Sequence, residues 1–306
     1  MKRVKVAVIG TGHLGKIHAR IYNNMRGVDL IGICDTDNTK ANSYASEFKS
    51  TAYSDYKKLF NKVDAVSIAT PTITHFKIAR DFLKNNVHVL VEKPITPTML
   101  EAQKLVKIAR AKRNILQVGH VERFNPAITT IQGFCKNPKF IECHRLSPYP
   151  KRGTDVSVIL DLMIHDIDIV LSLVKSPLKH THAIGVNVLS QNEDIASVRL
   201  IFKNGTVCNL TASRVSDEGM RKIRIFQKDS YLSLDYAQQK IIYYKKENNL
   251  ITKKEILVKK KEPLVEELSS FIDCIKKGKQ PVVRGKEGKD ALEIALAITK
   301  QIRKNA

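Results

Sequence analysis

Three sets of residues in this chain have types and spacings that can do chemistry. The first is Gly10-Thr11-Gly12-His13-Leu14-Gly15, which follows an apolar run at Val4–Ile9 and opens a helical pattern at His13–Met25. In a GxGxxG turn the first glycine permits the tight bend and the second lets a pyrophosphate approach the backbone. The third lets helix and strand pack closely. Phosphates then rest on the positive end of the helix dipole. Asp35 follows Gly15 by 20 positions and ends the next expected strand. A carboxylate there accepts hydrogen bonds from a ribose diol and repels a 2′-phosphate. Gly10, Gly12, His13, Leu14, Gly15 and Asp35 are therefore the expected dinucleotide contacts. NAD is preferred over NADP, since no arginine follows Asp35 to hold an extra phosphate.

The second set is Ala69-Thr70-Pro71 with His75, and Glu92-Lys93-Pro94. Each lies at the C-terminal end of an expected strand, where open α/β sheets bind ligands. Thr70, Pro71, His75, Glu92 and Lys93 join the expected cofactor side on that ground. Lys93 precedes a proline and is held out of the helical region, which can aim its side chain into a crevice. Taken alone, a Lys-Pro at a strand end is more often a loop lysine than a catalyst.

The third set lies on an apolar helical stretch, Val156–Val174. Ser157, Asp161, His165, Asp168 and Ser172 step by 4, 4, 3 and 4 and share one helical face. So apolar a helix must be buried, and buried carboxylates and imidazoles need partners. Two arrangements satisfy this. One is an internal hydrogen-bond ladder, with Asp161 serving His165; the other is an Asp-His dyad lining a cleft, with acid/base capacity near neutral pH. The stripe has no second His or Cys, so no metal site is expected.

The elements that must position these groups change character partway along the chain. Up to about residue 120, short β-branched runs at Val4–Ile9, Asp29–Cys34, Ala65–Ala69, Val87–Val91 and Asn114–Val118 alternate with helical patterns. Their apolar character on both faces fits a parallel sheet covered on both sides. Beyond Gly119 come the helix Pro126–Phe134, the strand Phe140–Leu146 and the long helix of the third set. Six strand patterns then follow between Ala183 and Tyr244, with a hairpin signal at Asn204-Gly205. Helices at Val265–Lys276 and Gly288–Ile302 close the chain. The expected fold is α/β. A doubly wound Rossmann domain over 1–120 binds the dinucleotide, and an α+β domain over 121–306, built on an open and mainly antiparallel sheet, binds substrate and oligomerises.

Composition narrows the function classes. With 306 residues and 43% hydrophobic content the chain has material for two cores, and no apolar run reaches the ~18 residues of a membrane span. Its net charge of +22 invites a nucleic-acid reading. The lysines are scattered, however, and the densest group, Lys253–Lys261, alternates with apolar residues as a solvated strand would. No zinc-finger, RRM or basic-zipper pattern is present, so neither nucleic acid nor membrane is expected as a partner. Five cysteines without a CxxC pair suit a reducing compartment, and the expected location is cytoplasmic.

Taken together, the three sets resemble the Gfo/Idh/MocA family of nicotinamide-dependent sugar oxidoreductases. Its EKP lysine matches Glu92-Lys93-Pro94, its ATP-x-x-x-H segment matches Ala69 to His75, and its D-x-x-x-H dyad matches Asp161 and His165. The resemblance implies Lys93, Asp161 and His165 as catalytic residues, with Lys93 or His165 as the base. It also implies an open sheet that joins subunits, here into a dimer or tetramer. Val118–Pro126 and Asp161–Asp168 are similar to a branch that oxidises the C3 hydroxyl of UDP-N-acetylglucosamine to a ketone, which an aminotransferase then converts to a 3-amino sugar. For such a substrate Arg123, Asn125, Arg145 and Arg152 are candidate diphosphate ligands, and Tyr149 can stack on a uracil. The same arginines read equally as salt-bridge partners.

Overall fold

The computed structural model describes residues 3–149, 156–248 and 250–305. The chain forms two compact units, one of Met1–Val121 with Leu264–Lys289 and one of Glu122–Pro263 with Asp290–Ala306.

In the first unit β1 (Val4–Ile9), β2 (Val28–Cys34), β3 (Thr51–Tyr53), β4 (Ala65–Ile68), β5 (His88–Glu92) and β6 (Leu116–Gly119) make one sheet. Every pairing in it is parallel, and the order is β3-β2-β1-β4-β5-β6. Strand order reverses between β1 and β4, the place where such sheets open a ligand crevice at the strand ends. The connecting helices are α1 (His13–Asn24), α2 (Asn38–Glu47), α3 (Thr72–Lys84) and α4 (Met99–Lys112). Asp37 caps α2 and Thr98 caps α4, each side-chain oxygen accepting from the amide three residues on. Because β4 is buried at every position, its sequence shows no alternation of apolar and polar faces, and its one polar residue, Ser67, is buried with the rest.

The second unit holds α5 (Pro126–Ile131), β7 (Phe140–Leu146) and α6 (Ile164–Val174). Seven further strands follow: β8 (Leu178–Val186), β9 (Ile195–Phe202), β10 (Val207–Ser213), β11 (Met220–Phe226), β12 (Ser230–Asp235), β13 (Lys240–Glu247) and β14 (Leu250–Ile256). The eight strands lie in the order β14-β13-β12-β11-β7-β10-β9-β8, antiparallel except where β7 meets β10. In β9 the buried residues Ala196, Val198, Leu200 and Phe202 alternate with outward Ser197 and Arg199. The inward set packs with Ile164, Ile167 and Val170 of α6 and with Ala295, Ile298 and Ile302. On the opposite face a row of stacked rings runs Phe140, Phe226, Tyr231, Tyr244, with centroids 5.7, 5.2 and 4.2 Å apart.

Two helices close the chain, α7 (Pro263–Lys277) and α8 (Gly285–Asn305). The sequence reading groups both with the second domain. Instead Leu268, Phe271 and Ile272 of α7 pack with Val4, Val6, Val8 and Tyr22 in the core of the first unit, because that side of the parallel sheet needs a cover. The amphipathic pattern of α7 identifies a buried face but not the sheet that buries it. Among the described residues no helix is long and apolar enough to cross a membrane.

Candidate active site

At the end of β1 the backbone itself is the functional group. Gly10 has φ +95°, a region that L side chains rarely adopt, and a Cβ there would lie 2.6 Å from the Ala69 carbonyl oxygen. A Cβ on Gly15 would collide with the Gly10 carbonyl, so the third glycine is required by contact between loop and helix. Gly12 differs from both. It is the N-cap of α1, and a Cβ built on it meets nothing within 4 Å. The first turn of α1 contains no acidic residue and no side-chain cap. The space beside Gly12 is thus open at the positive end of the helix, which fits a pyrophosphate. His13 and Leu14 in that turn are exposed.

Asp35 is tied into the same loop. Its Oδ2 accepts from the Thr11 amide and the Thr11 hydroxyl, both at 2.6 Å, and its Oδ1 accepts from the Asp37 amide at 2.9 Å. Partial burial would raise its pKa, but the Thr11 hydroxyl and the amides of Asp37 and Thr11 outweigh that and hold it below the ordinary carboxylate range. Asp35 is therefore ionised at neutral pH, and Oδ1 keeps acceptor capacity for a ribose hydroxyl.

At the ends of β4 and β5, Thr70 and Lys93 are half-buried and Pro71 is exposed. The Lys93-Pro94 peptide is cis. His75 and Glu92, both expected as cofactor contacts, are turned inward instead. His75 is 1% exposed, with Nδ1 2.9 Å from the Pro94 carbonyl oxygen and Nε2 2.8 Å from that of Thr70. Burial lowers its pKa more than the facing carbonyls of Thr70 and Pro94 and the charge of Glu92 raise it. The Glu92 carboxylate is buried against Gly119, where a Cβ would come within 2.8 Å of it. It stands 3.3 Å from Nε2 of the fully buried His18. The sequence reading missed His18, whose signal is a polar residue among Ile17, Ala19 and Ile21 on the buried side of α1.

In the second unit the expected helix over 156–174 is not uniform. Ile159–Met163 forms a π-turn containing Asp161, and α6 begins only at Ile164, so Asp161 and His165 lie on different helical types. Both are half-buried. The expected stripe is broken by this change of winding and by pairing of its lower members. Asp168 accepts from Arg123 Nη1 at 3.2 Å, and Ser172 donates to the Ile169 carbonyl at 2.7 Å. Asp166, off the stripe, accepts from Arg145 Nε at 2.9 Å and Nη2 at 3.1 Å, and from the Tyr236 hydroxyl at 2.8 Å. Arg145 Nη1 also donates to Glu122 at 3.1 Å, while Tyr236 lies under the guanidinium at 5.3 Å.

These contacts correct the diphosphate assignment for three residues. Arg145 is 4% exposed, Arg123 8% and Asn125 3%. Asn125 caps α5 through Oδ1 and donates to Glu122 and the Tyr236 carbonyl. Isolated buried charge is expensive, so each arginine is committed to a carboxylate, and the salt-bridge alternative is the one the structure shows. Tyr149 is 40% exposed; Arg152 lies outside the described residues. A further buried pair joins Arg214 Nε to Asp194 at 2.8 Å. Arg214 Nη1 donates to the Val156 carbonyl at 2.8 Å, just ahead of the π-turn. Among the described residues no cluster of three His, Cys, Asp or Glu is arranged to hold a metal.

Comparison with known proteins matches this architecture along the chain. Residues 4–120 match the NAD-binding Rossmann model of the Gfo/Idh/MocA oxidoreductases, and residues 128–232 match the GFO/IDH/MocA C-terminal domain. UDP-N-acetylglucosamine 3-dehydrogenase of Acidithiobacillus ferrooxidans is 35% identical over 97% of this chain and 97% of its own. Its solved structure superposes with a TM-score of 0.94 at 34% identity, covering 99% and 98% of the two chains. Myo-inositol 2-dehydrogenase of Thermotoga maritima is 25% identical over 98% and 96%. The chain belongs to the Gfo/Idh/MocA family and is an NAD-dependent oxidoreductase.

Proposed function

We propose that the protein oxidises the C3 hydroxyl of UDP-N-acetylglucosamine to the 3-keto sugar, supplying a 3-amino sugar route. The observation that carries this reading is the 35% identity, over 97% of both chains, to an enzyme named for that reaction. The first unit, Met1–Val121 with Leu264–Lys289, binds the dinucleotide, and the second, Glu122–Pro263 with Asp290–Ala306, binds the sugar nucleotide and joins subunits through the outward sheet face. That face carries the stacked row from Phe140 to Tyr244, an apolar surface suited to a second copy in a dimer or tetramer.

Bound NAD supplies the hydride acceptor. The chain's residues manage the proton and the charge. His165 takes the proton from the reacting hydroxyl and Asp161 orients the imidazole, while Lys93 supplies a cation that stabilises developing negative charge. Gly10, Gly12, His13, Leu14 and Gly15 cradle the pyrophosphate, with Thr70 and Pro71 flanking it and Asp35 on the ribose. Tyr149 stacks on the uracil and Arg152 serves the diphosphate.

The test is NAD reduction assayed against UDP-N-acetylglucosamine, free N-acetylglucosamine, free hexoses and inositols. The UDP sugar should turn over fastest, with Lys93→Ala and His165→Ala each losing roughly 10²–10⁴-fold in kcat while keeping NAD affinity. Faster turnover of an inositol or a free hexose would instead align the protein with its inositol dehydrogenase relatives.

A further inference from the structure

Lys93 is flanked in sequence by two residues that each face a buried histidine on a different helix. On the N-terminal side, the Glu92 carboxylate stands 3.3 Å from Nε2 of His18 on α1, and the other ring nitrogen of His18 lies 2.7 Å from Ser67 Oγ on β4. The ring is anchored by the Ser67 contact at Nδ1, while Nε2 stands within ion-pair distance of the carboxylate without forming a hydrogen bond to it. On the C-terminal side, the Pro94 carbonyl faces Nδ1 of His75 on α3 at 2.9 Å, and the opposite nitrogen meets Thr70 at 2.8 Å. His18 is 0% exposed and His75 1%. Neither ring is placed to touch a ligand at the strand ends, and every contact named here lies within the first unit.

We infer that His18 and His75 are positioning residues for Lys93. His18 packs against the strand end before it, and the His75 ring fills the space between the loop after it and the Thr70 turn, its single N–H donating to one of the two carbonyls it faces. This rests on the reading of Lys93 as a catalytic residue. The physical ground is twofold. Glu92 is buried, so its carboxylate needs a polar partner to stay in place. The ammonium of Lys93 must meet a reacting oxygen with little tolerance, because a misplacement of about 1 Å is enough to lose roughly 10²-fold in rate. Two rigid rings on two helices restrain the main chain on both sides of the lysine, which its own flexible stem cannot do.

The experiment compares His75→Ala, His75→Gln, His18→Gln and Ser67→Ala with Lys93→Met and with Val63→Ala, a core control in the same unit. UDP-N-acetylglucosamine turnover, NAD affinity and melting temperature are measured for each. In parallel, the methylation rate of Lys93 in the cofactor-free protein is followed by peptide mapping, with Lys84 and Lys104 as internal references. His75→Ala and His18→Gln should lose about 10- to 100-fold in kcat with NAD affinity within about twofold. His75→Gln, which keeps a donor, should recover part of the loss, and Lys93 should be methylated several-fold faster in the braceless variants. Should His18→Gln not fold, Ser67→Ala tests the same side by releasing Nδ1. The inference is overturned if the histidine variants lose no more kcat than a Val63→Ala protein of equal melting temperature, or if Lys93 reactivity is unchanged. Full activity of Lys93→Met would remove the catalytic reading itself; an inactive Lys93→Met beside fully active histidine variants would remove the brace alone.

Discussion

The dinucleotide turn and the stretch from Arg123 to Arg145 are both dense in groups that could hold an anion, yet the first offers its backbone to a ligand and the second spends its side chains on distant carboxylates. In the turn, function is carried by backbone geometry. A positive φ at Gly10, a forbidden Cβ at Gly15 and open space at Gly12 are each properties of one residue and its near neighbours. In the stretch from Arg123 to Arg145, function depends on which carboxylate each guanidinium meets. Arg145 pairs with Asp166, 21 residues away, and Asn125 reaches the backbone of Tyr236, 111 residues away. Residue type alone says that an arginine wants an anion. Whether that anion is a substrate phosphate or a buried aspartate is settled by tertiary packing.

This comparison is broken most directly at Arg145. Arg145→Ala leaves Asp166 and Glu122 buried without their shared cation, which should cost about 3–5 kcal/mol of stability. NAD affinity should be unaffected, since the loss falls in the other compact unit. A denaturant melt with a cofactor titration decides it. A rise in KM for the UDP sugar at unchanged stability would restore the diphosphate role. Next in size is Gly15→Ala, where the added methyl meets the Gly10 carbonyl rather than a movable side chain. NAD affinity should fall roughly 100-fold, because the loop and the helix amides can no longer close on one pyrophosphate. Gly12→Ala meets no protein atom and should impair NAD binding without lowering the melting temperature, which separates the packing glycine from the ligand-facing one.

How much was legible follows the same division. The parallel sheet read well because strands buried on both faces leave unbroken apolar runs. Strand β14, Leu250–Ile256, overlaps the lysine-rich run Lys253–Lys261 whose alternation suggests a solvated strand, but with nearly all of it exposed burial does not fix its bounds. Helix α2 carries little apolar periodicity in Asn-Thr-Lys-Ala-Asn-Ser-Tyr, so its place in the gap between two strands marks it better than its own pattern does. The Asp161–His165 spacing was visible, but the π-turn that separates their backbone environments was not. An i→i+5 turn has no side-chain signature of its own and arises where the surroundings favour it. His18 went unread for a related reason. A single histidine on a buried helical face acquires meaning only once Glu92 and Ser67 are known to face it.

The smaller effects lie at Asp35, which joins the two kinds of region because a side chain there completes a backbone-built site. Asp35→Ala should narrow the NAD over NADP preference by roughly 10-fold, the worth of a charge-assisted hydrogen bond to a ribose hydroxyl. Equal binding of both cofactors by the unmutated protein would end that assignment. The least effect is expected from pH, and its sign follows from the local hydrogen bonds. Burial alone would raise the Asp35 pKa, but the Thr11 hydroxyl and the two amides hold it below the ordinary value. A carboxylate with a depressed folded-state pKa contributes stability above its unfolded value of about 3.9 and loses that contribution as pH falls through the folded value. Asp35 therefore stays ionised from about pH 5 to 8, and the NAD over NADP ratio should be flat across that window. The Asp35 contribution to loop stability should fade only in stronger acid, and Asp35→Asn should remove that acid dependence. Cofactor titrations at several pH values, run beside acid melts of both proteins, test this. A preference that weakens between pH 7 and 5 would mean that burial outweighs the Thr11 and Asp37 hydrogen bonds, and that the carboxylate is less firmly built into the turn than its distances indicate.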